Sequence, residues 1–168
     1  MRVWRICARR HGARALDGEG ARRYGGRWNP PGVPMVYTAG SLALALLELL
    51  VQVDVDLMPG DLVAIGIDVA DRVRVRQLRA GQLPAGWDRH PAPDATQTLG
   101  AAWIASGETA LFAVPSAVVP QETNYLVNPA HADVRSFRIL APEPLRLDPR
   151  LPLRRRRVSA SRRPRRTS

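Results

Sequence analysis

The chain has 168 residues, 45% of them hydrophobic, which suits one domain with a core of its own. Its formal charge of +10 suggests a nucleic-acid partner, but eight arginines and no acidic residue fall in residues 154–168; taking those eight away leaves +2 on residues 1–153. No 18-residue apolar run, no leader-like apolar stretch at the start and a single cysteine, Cys7, argue against a membrane span, secretion and an internal disulfide, and so for the cytoplasm. The chain has no lysine at all, a sign of coding bias that weakens any reading of its arginine count.

In chain order, residues 2–7 (RVWRIC) predict a strand, with Arg5 either solvated or pointing inward as an anion partner. Residues 9–24 predict a loop with one helical turn. Residues 25–29 (GGRWN) form a glycine loop and residues 30–32 (PPG) a turn, which holds Arg27 in a stiff setting. Trp28 either plugs the core or lines a site. Residues 33–39 predict a strand carrying Tyr37. Ser41 is a good N-cap for a helix over 42–52. That helix is apolar on every face, the pattern of a buried helix, and it contains one carboxylate, Glu48. Glu48 either faces a ligand in a cleft or marks the helix's one solvent stripe, where Gln52 would accompany it. A carboxylate left unpaired among leucines costs several kcal/mol or takes up a proton. A cleft in which Arg27 and Glu48 face one ligand resolves that cost, and Arg27 or Arg5 is expected to neutralise Glu48 when the cleft is empty.

Residues 54–61 read as an acidic connector, 62–69 as a central strand, 73–78 as an edge strand and 81–93 as a loop anchored by Trp87. A second helix is predicted over 95–106, capped by Asp94 or Thr96, then a strand over 110–114. The segment 116–131 sets Ser116, Glu122, Asn124, Asn128 and His131 between apolar residues just past a strand end, where short polar side chains line clefts or bond local backbone. A last strand is predicted over 134–140, and the Arg-rich residues 154–168 read as a disordered tail behind a domain spanning 1–153.

The sequence contains no GxxxxGK[ST] or GxGxxG loop, no GxSxG elbow and no zinc-ligand spacing, so no metal or resident cofactor is expected. Ser116 with His131 lacks the oxyanion-loop signature of a hydrolase pair.

Taken together, VWRI near the start, GGRWNPPGVPMVYTA, a leucine-rich helix with one Glu, and PSAVVPQETNYLVNPAH followed by VRSFRIL resemble the RES domain over residues 2–151. Matched motif to motif, the family's arginine falls on Arg27, its glutamate on Glu48 and its serine on Ser116. Tyr37, Asn124 and Asn128 match its further polar positions. The resemblance implies a bacterial toxin with an α+β fold, a mixed split sheet similar to that of ADP-ribosyltransferase toxins. It implies NAD+ as substrate, cleaved by hydrolysis or phosphorolysis, or used to ADP-ribosylate a protein. It also implies an antitoxin partner with a helix-turn-helix DNA-binding domain, and a homodimer within the toxin–antitoxin assembly.

Such a reaction breaks the bond from ribose C1′ to the nicotinamide nitrogen through an oxocarbenium-like transition state. It calls for a pyrophosphate clamp (Arg27), a carboxylate near the developing cation (Glu48) and ribose or carboxamide contacts (Tyr37, Ser116, Asn124 and Asn128, with Trp28 and Arg5 as further binding candidates). The competing readings are a nucleic-acid-binding or RNA-cleaving toxin, against which the near-neutral 1–153 stands, and an inactive RES-like domain.

Overall fold

The computed structural model describes residues 1–53, 58–148 and 150–151; the expected tail at 154–168 and the first half of the acidic connector lie outside it. Eight strands form one sheet: β1 (Arg2–Ala8), β2 (Val36–Ala39), β3 (Leu62–Asp68), β4 (Val75–Gln77), β5 (Leu111–Pro115), β6 (Thr123–Val127), β7 (Arg138–Ile139) and β8 (Glu143–Pro144). The order is β4-β5-β6-β2-β1-β3-β7, and β8 also pairs with β3. Among the described residues only β4 and β5 run parallel; α3 (Asp94–Ser106) makes the crossover between them. Helices α1 (Glu19–Tyr24) and α2 (Leu42–Gln52) complete the α+β fold.

The sheet is split at its middle. Strand β1 pairs with β3 along its full length, from Arg2 opposite Asp68 to Ala8 opposite Leu62. It meets β2 only where Trp4 lies opposite Ala39. The half β4-β5-β6-β2 and the half around β1 and β3 therefore splay apart from that point. Strand β3 is buried from Leu62 to Ile67, as its nearly continuous apolar sequence requires.

Strand alternation sorts the core onto two faces. One face carries Val3, Val36, Val63, Ile65, Leu111 and Val127. The other carries Tyr37, Phe112, Val114 and Leu126 under Trp28 and Trp103, and beside them Trp4, Ile6 and Ala39 under Leu44 and Ala45 of α2. Trp103 and Trp28 pack on Phe112 at centroid distances of 5.2 and 6.4 Å. Helix α3 presses so closely here that a Cβ on Gly100 would lie 1.9 Å from the Trp28 carbonyl oxygen.

Four expectations need correction. Helix α2 has the predicted bounds, and the Ser41 side chain caps it by accepting from the Leu44 N–H at 3.1 Å. It is not buried all round, however: Leu44 and Ala45 are the residues that sink into the sheet, while Leu47 is 42% and Val51 58% exposed. Pattern alone shows that a helix is able to bury every face; it does not supply chain to cover them. The predicted strand over 134–140 is mostly a 3-10 turn, Ala132–Ser136, before the two-residue β7. Side chains draw the backbone into that turn: His131 Nδ1 accepts from the Asp133 N–H, and Ser136 Oγ donates to the Asp133 carbonyl. Residues 9–24 hold more helix than one turn, a 3-10 segment Arg9–Arg14 and then α1, where Glu19 accepts from Arg22 and Arg23. Helix α3 has Pro93 as its N-cap residue, and Thr96 Oγ1 donates back to the Pro93 carbonyl instead of capping.

Candidate active site

The loop at 25–29 is built by its own residues. Gly25 ends α1 at φ 71°, and the Gly26 N–H donates to the Asn29 carbonyl at 2.8 Å. Asn29 is fully buried, and its Nδ2 donates to the carbonyls of Ala21 and Val33, each at 2.9 Å. Its Oδ1 accepts from the Tyr37 hydroxyl at 2.7 Å, and that hydroxyl oxygen accepts from the Trp28 N–H at 3.0 Å. Burial pushes the Tyr37 pKa up, so the phenol stays a neutral donor. Gln97 on α3 ties the loop from the other side, donating to the Gly26 carbonyl at 3.0 Å. A Cβ on Gly26 would meet the Tyr37 hydroxyl at 2.5 Å, so the loop needs glycine there to lie on the ring.

This bracing fixes Arg27, whose Nη1 donates to the carbonyls of Trp87 at 2.6 Å and Arg89 at 2.9 Å. Nε and Nη2 have no protein acceptor among the described residues and remain available to an anion.

Glu48 is half-buried, and α2 carries it over the end of β6. Its Oε1 accepts from Ser116 Oγ at 2.7 Å and from Asn124 Nδ2 at 2.5 Å. Ser116 is fully buried just beyond β5, and its Oγ accepts the N–H groups of Val118 and Val119, each at 3.0 Å. With both lone pairs taken, the Ser116 hydroxyl proton has one place to go, the carboxylate. Both donors bind one oxygen, which leaves Oε2 with no protein partner among the described residues.

Tyr37 lies opposite Leu126 and Ala39 opposite Asn124, so Tyr37 and Asn124 share the face on which α2 rests. Two residues along a strand span about 7 Å, so Tyr37, Ala39 and Asn124 form a short floor between the braced loop and Glu48. The structure therefore groups Glu48, Ser116 and Asn124 by direct bonds and sets Tyr37 beside them. It places Glu48 against Ser116, nearly seventy residues on in sequence, and not out in a solvent stripe.

Other candidates fall elsewhere. The expected ion pair is not formed: among the described residues no cation lies within 4.0 Å of Glu48, and neutral donors hold it instead. Arg5 shares the opposite face with Val3 and Cys7. Its Nη1 donates to the Tyr37 carbonyl at 3.2 Å and so bridges β1 and β2 where they part. Burial pushes its pKa down, and its Nε is buried without a partner among the described residues. Trp28 is 2% exposed and belongs to the core. Asn128 sits at the far end of β6 from Asn124, where its Oδ1 accepts from the Ala130 N–H and its Nδ2 donates to the Ile104 carbonyl. His131 caps its 3-10 turn and is no partner of Ser116. Asn29 and Gln97 join the site's support without a strong mark in sequence; for Asn29 the signal is an Asn before two prolines in a glycine loop, a residue type that bonds its own turn.

The fold and site define a class, an α+β domain with a split sheet and a carboxylate held by Ser and Asn at the split's edge. The sequence model of the RES domain family matches residues 2–148, and the chain belongs to that family of toxins. It is 42% identical over 152 residues to the Prs ADP-ribosylating toxin of Sphingobium sp. (strain YBL2), covering 88% of this chain and 94% of that one. It is 35% identical to the Toxin Res of Yersinia enterocolitica, covering 90% and 99%. The crystal structure of the M. tuberculosis MbcT–MbcA toxin–antitoxin complex shares the fold, with a TM-score of 0.69, 24% identity and coverage of 86% of this chain and 83% of that one. Over a 45-residue segment, 25% of this chain and 24% of that one, identity to MbcT, an NAD(+) phosphorylase, rises to 53%. No helix among the described residues is long and apolar enough to cross a membrane.

Proposed function

We propose that this chain cleaves the nicotinamide–ribose bond of NAD+. The observation that carries the reading is Glu48, a carboxylate fixed through one oxygen by Ser116 and Asn124 and, among the described residues, free at the other. When the bond breaks, its electron pair leaves with the nicotinamide nitrogen, and the ring departs neutral. Positive charge grows on C1′ and the ring oxygen. Glu48 Oε2 stabilises that charge directly or through the ribose hydroxyls. An acceptor oxygen then bonds C1′ and releases its proton to Glu48 or to solvent. Arg27 binds the pyrophosphate with Nε and Nη2, held in aim by the Trp87 and Arg89 carbonyls. Tyr37 offers its ring face, since its hydroxyl is engaged with Asn29 and Trp28.

Two acceptors have support in the names of relatives. The Sphingobium relative, similar over most of its length, is an ADP-ribosylating toxin, which favours a protein acceptor. MbcT, similar over a short segment, is a phosphorylase, which favours phosphate. An antitoxin partner is proposed on the likeness to MbcT, solved with its antitoxin MbcA. The test is mass analysis of products after NAD+ is mixed with the purified protein, with and without phosphate and with cell extract. Free ADP-ribose, ADP-ribose phosphorylated at C1′ or a protein carrying ADP-ribose each names the acceptor. Intact NAD+ in every mixture overturns the proposal.

A further inference from the structure

Apart from the Glu48 floor, the described residues form an open pocket of roughly 360 Å³ at the end of β4 and β5. Leu78, Leu83, Trp87 and Val114 give it an apolar lining. Gln77 and Glu122, both exposed, stand among its lining residues. We infer that this pocket takes the adenine ring of the dinucleotide; the inference rests on the NAD+ reading above and adds to it where the far half of the substrate goes.

The pocket adjoins both parts of the candidate site. Pro115 and Thr123 line it, and their chain neighbours Ser116 and Asn124 hold Glu48. Trp87 lines it, and the Trp87 carbonyl holds Arg27. Arg27 is thus tied directly to a residue that lines the pocket, and the base beyond a pyrophosphate on Arg27 is directed toward it.

Chemistry selects the base over the phosphates. None of the lining residues is basic, and Glu122 repels phosphate, so the pyrophosphate stays outside. An apolar slot with a tryptophan wall suits a flat heteroaromatic ring. A carboxylate and an amide are suited to read the exocyclic amino group and ring nitrogen of adenine.

Geometry selects adenine over nicotinamide. Ala113, Pro115 and Thr123 alternate onto the face opposite Val114 and Asn124, so the pocket wraps round the end of the sheet. The ring bonded to the reacting C1′ has to stay on the Tyr37–Asn124 floor beneath Glu48. The group beyond the pyrophosphate is the one that reaches round the end.

The experiment is binding of adenosine monophosphate, and separately of nicotinamide, to the full chain by calorimetry, for wild type, Glu122→Ala and Leu83→Trp. Glu122 is exposed, so its variant keeps the test open if filling the pocket at Leu83 harms folding. Adenosine monophosphate should bind wild type and lose at least about tenfold in Glu122→Ala, the loss of one charge-assisted hydrogen bond. It should lose all measurable binding in a folded Leu83→Trp, with nicotinamide binding unmoved in both. Absence of binding to wild type, undiminished binding in Glu122→Ala, or loss of nicotinamide binding instead overturns the inference. NAD+ consumption by wild type is followed alongside. If NAD+ survives while adenosine monophosphate binds through the pocket, the reaction fails and the pocket stands; if NAD+ is consumed and Glu122→Ala binds like wild type, the pocket fails and the reaction stands.

Discussion

Glu48 receives two hydrogen bonds at one oxygen, and a glutamine there accepts the same two bonds without the charge. Glu48→Gln should therefore leave the fold intact and remove the stabilisation of the cation. The expected loss in kcat is about 100- to 1,000-fold, or about 2.7–4 kcal/mol, with KM little changed. Steady-state NAD+ consumption with thermal melting as the folding control checks it; near-wild-type turnover would remove Glu48 from the chemistry. Tyr37 gives a different signature. Its pKa is raised by burial, so the folded protein holds the phenolic proton at pH values where the unfolded chain releases it. Its stabilising share is complete below about pH 10, the ordinary tyrosine value, and falls as pH rises beyond that. Tyr37→Phe should lower stability by about 1–3 kcal/mol at neutral pH, because Asn29 Oδ1 and the Trp28 N–H lose their partner. The difference between wild type and variant should then shrink above about pH 10, read from urea midpoints across pH. A gap constant with pH would mean that the hydroxyl titrates like an exposed one.

At the scale of elements, α3 holds the loop that carries Arg27. Gly100 is where its backbone touches Trp28, and the 1.9 Å contact of an added Cβ with the Trp28 carbonyl oxygen leaves no room to give. Gly100→Ala should cost about 3 kcal/mol or more and loosen the Arg27 loop. Gly20, inside α1 with nothing near its Cβ position, is the opposite case. Gly20→Ala should stabilise by about 0.4–1 kcal/mol through the unfolded chain. Denaturant midpoints on both variants test the pair, and equal effects would contradict the packing described here. Helix α2 shows how far its sequence could be read. The cap at Ser41 fixed its start, and its length followed the apolar run to Gln52. Its burial was not legible, since Leu47 and Val51 are as apolar as Leu44 but face outward. The strand expected over 134–140 gives way to a 3-10 turn because His131, Asp133 and Ser136 bond locally, and only a folded backbone reveals those bonds.

Over the whole molecule, charge and chemistry are separated. Residues 1–153 carry +2 and hold every group assigned to the site, while residues 154–168 hold eight arginines. Truncation after Leu153 should leave NAD+ consumption unchanged and flatten the salt dependence of retention on nucleic acid. Loss of NAD+ consumption on truncation would bring the basic segment into the enzyme's function. Where β1 and β2 part beyond the Trp4–Ala39 pair, Arg5 Nη1 bridges them by donating to the Tyr37 carbonyl.

The sequence by itself determined most element types, the start and end of α2, and the site candidates Arg27, Tyr37, Glu48, Ser116 and Asn124. Those signals are local or motif-borne, and they survive without coordinates. Tertiary structure decided which of these meet. Glu48 lies 68 residues from Ser116 and 76 from Asn124, and only the pairing of β2 with β6 and the seat of α2 on Ala39 bring them together. The same packing sent Trp28 to the core and Arg5 to the opposite face, because a side chain's direction is set by strand alternation and by what covers each face, and neither is written in a single residue's type.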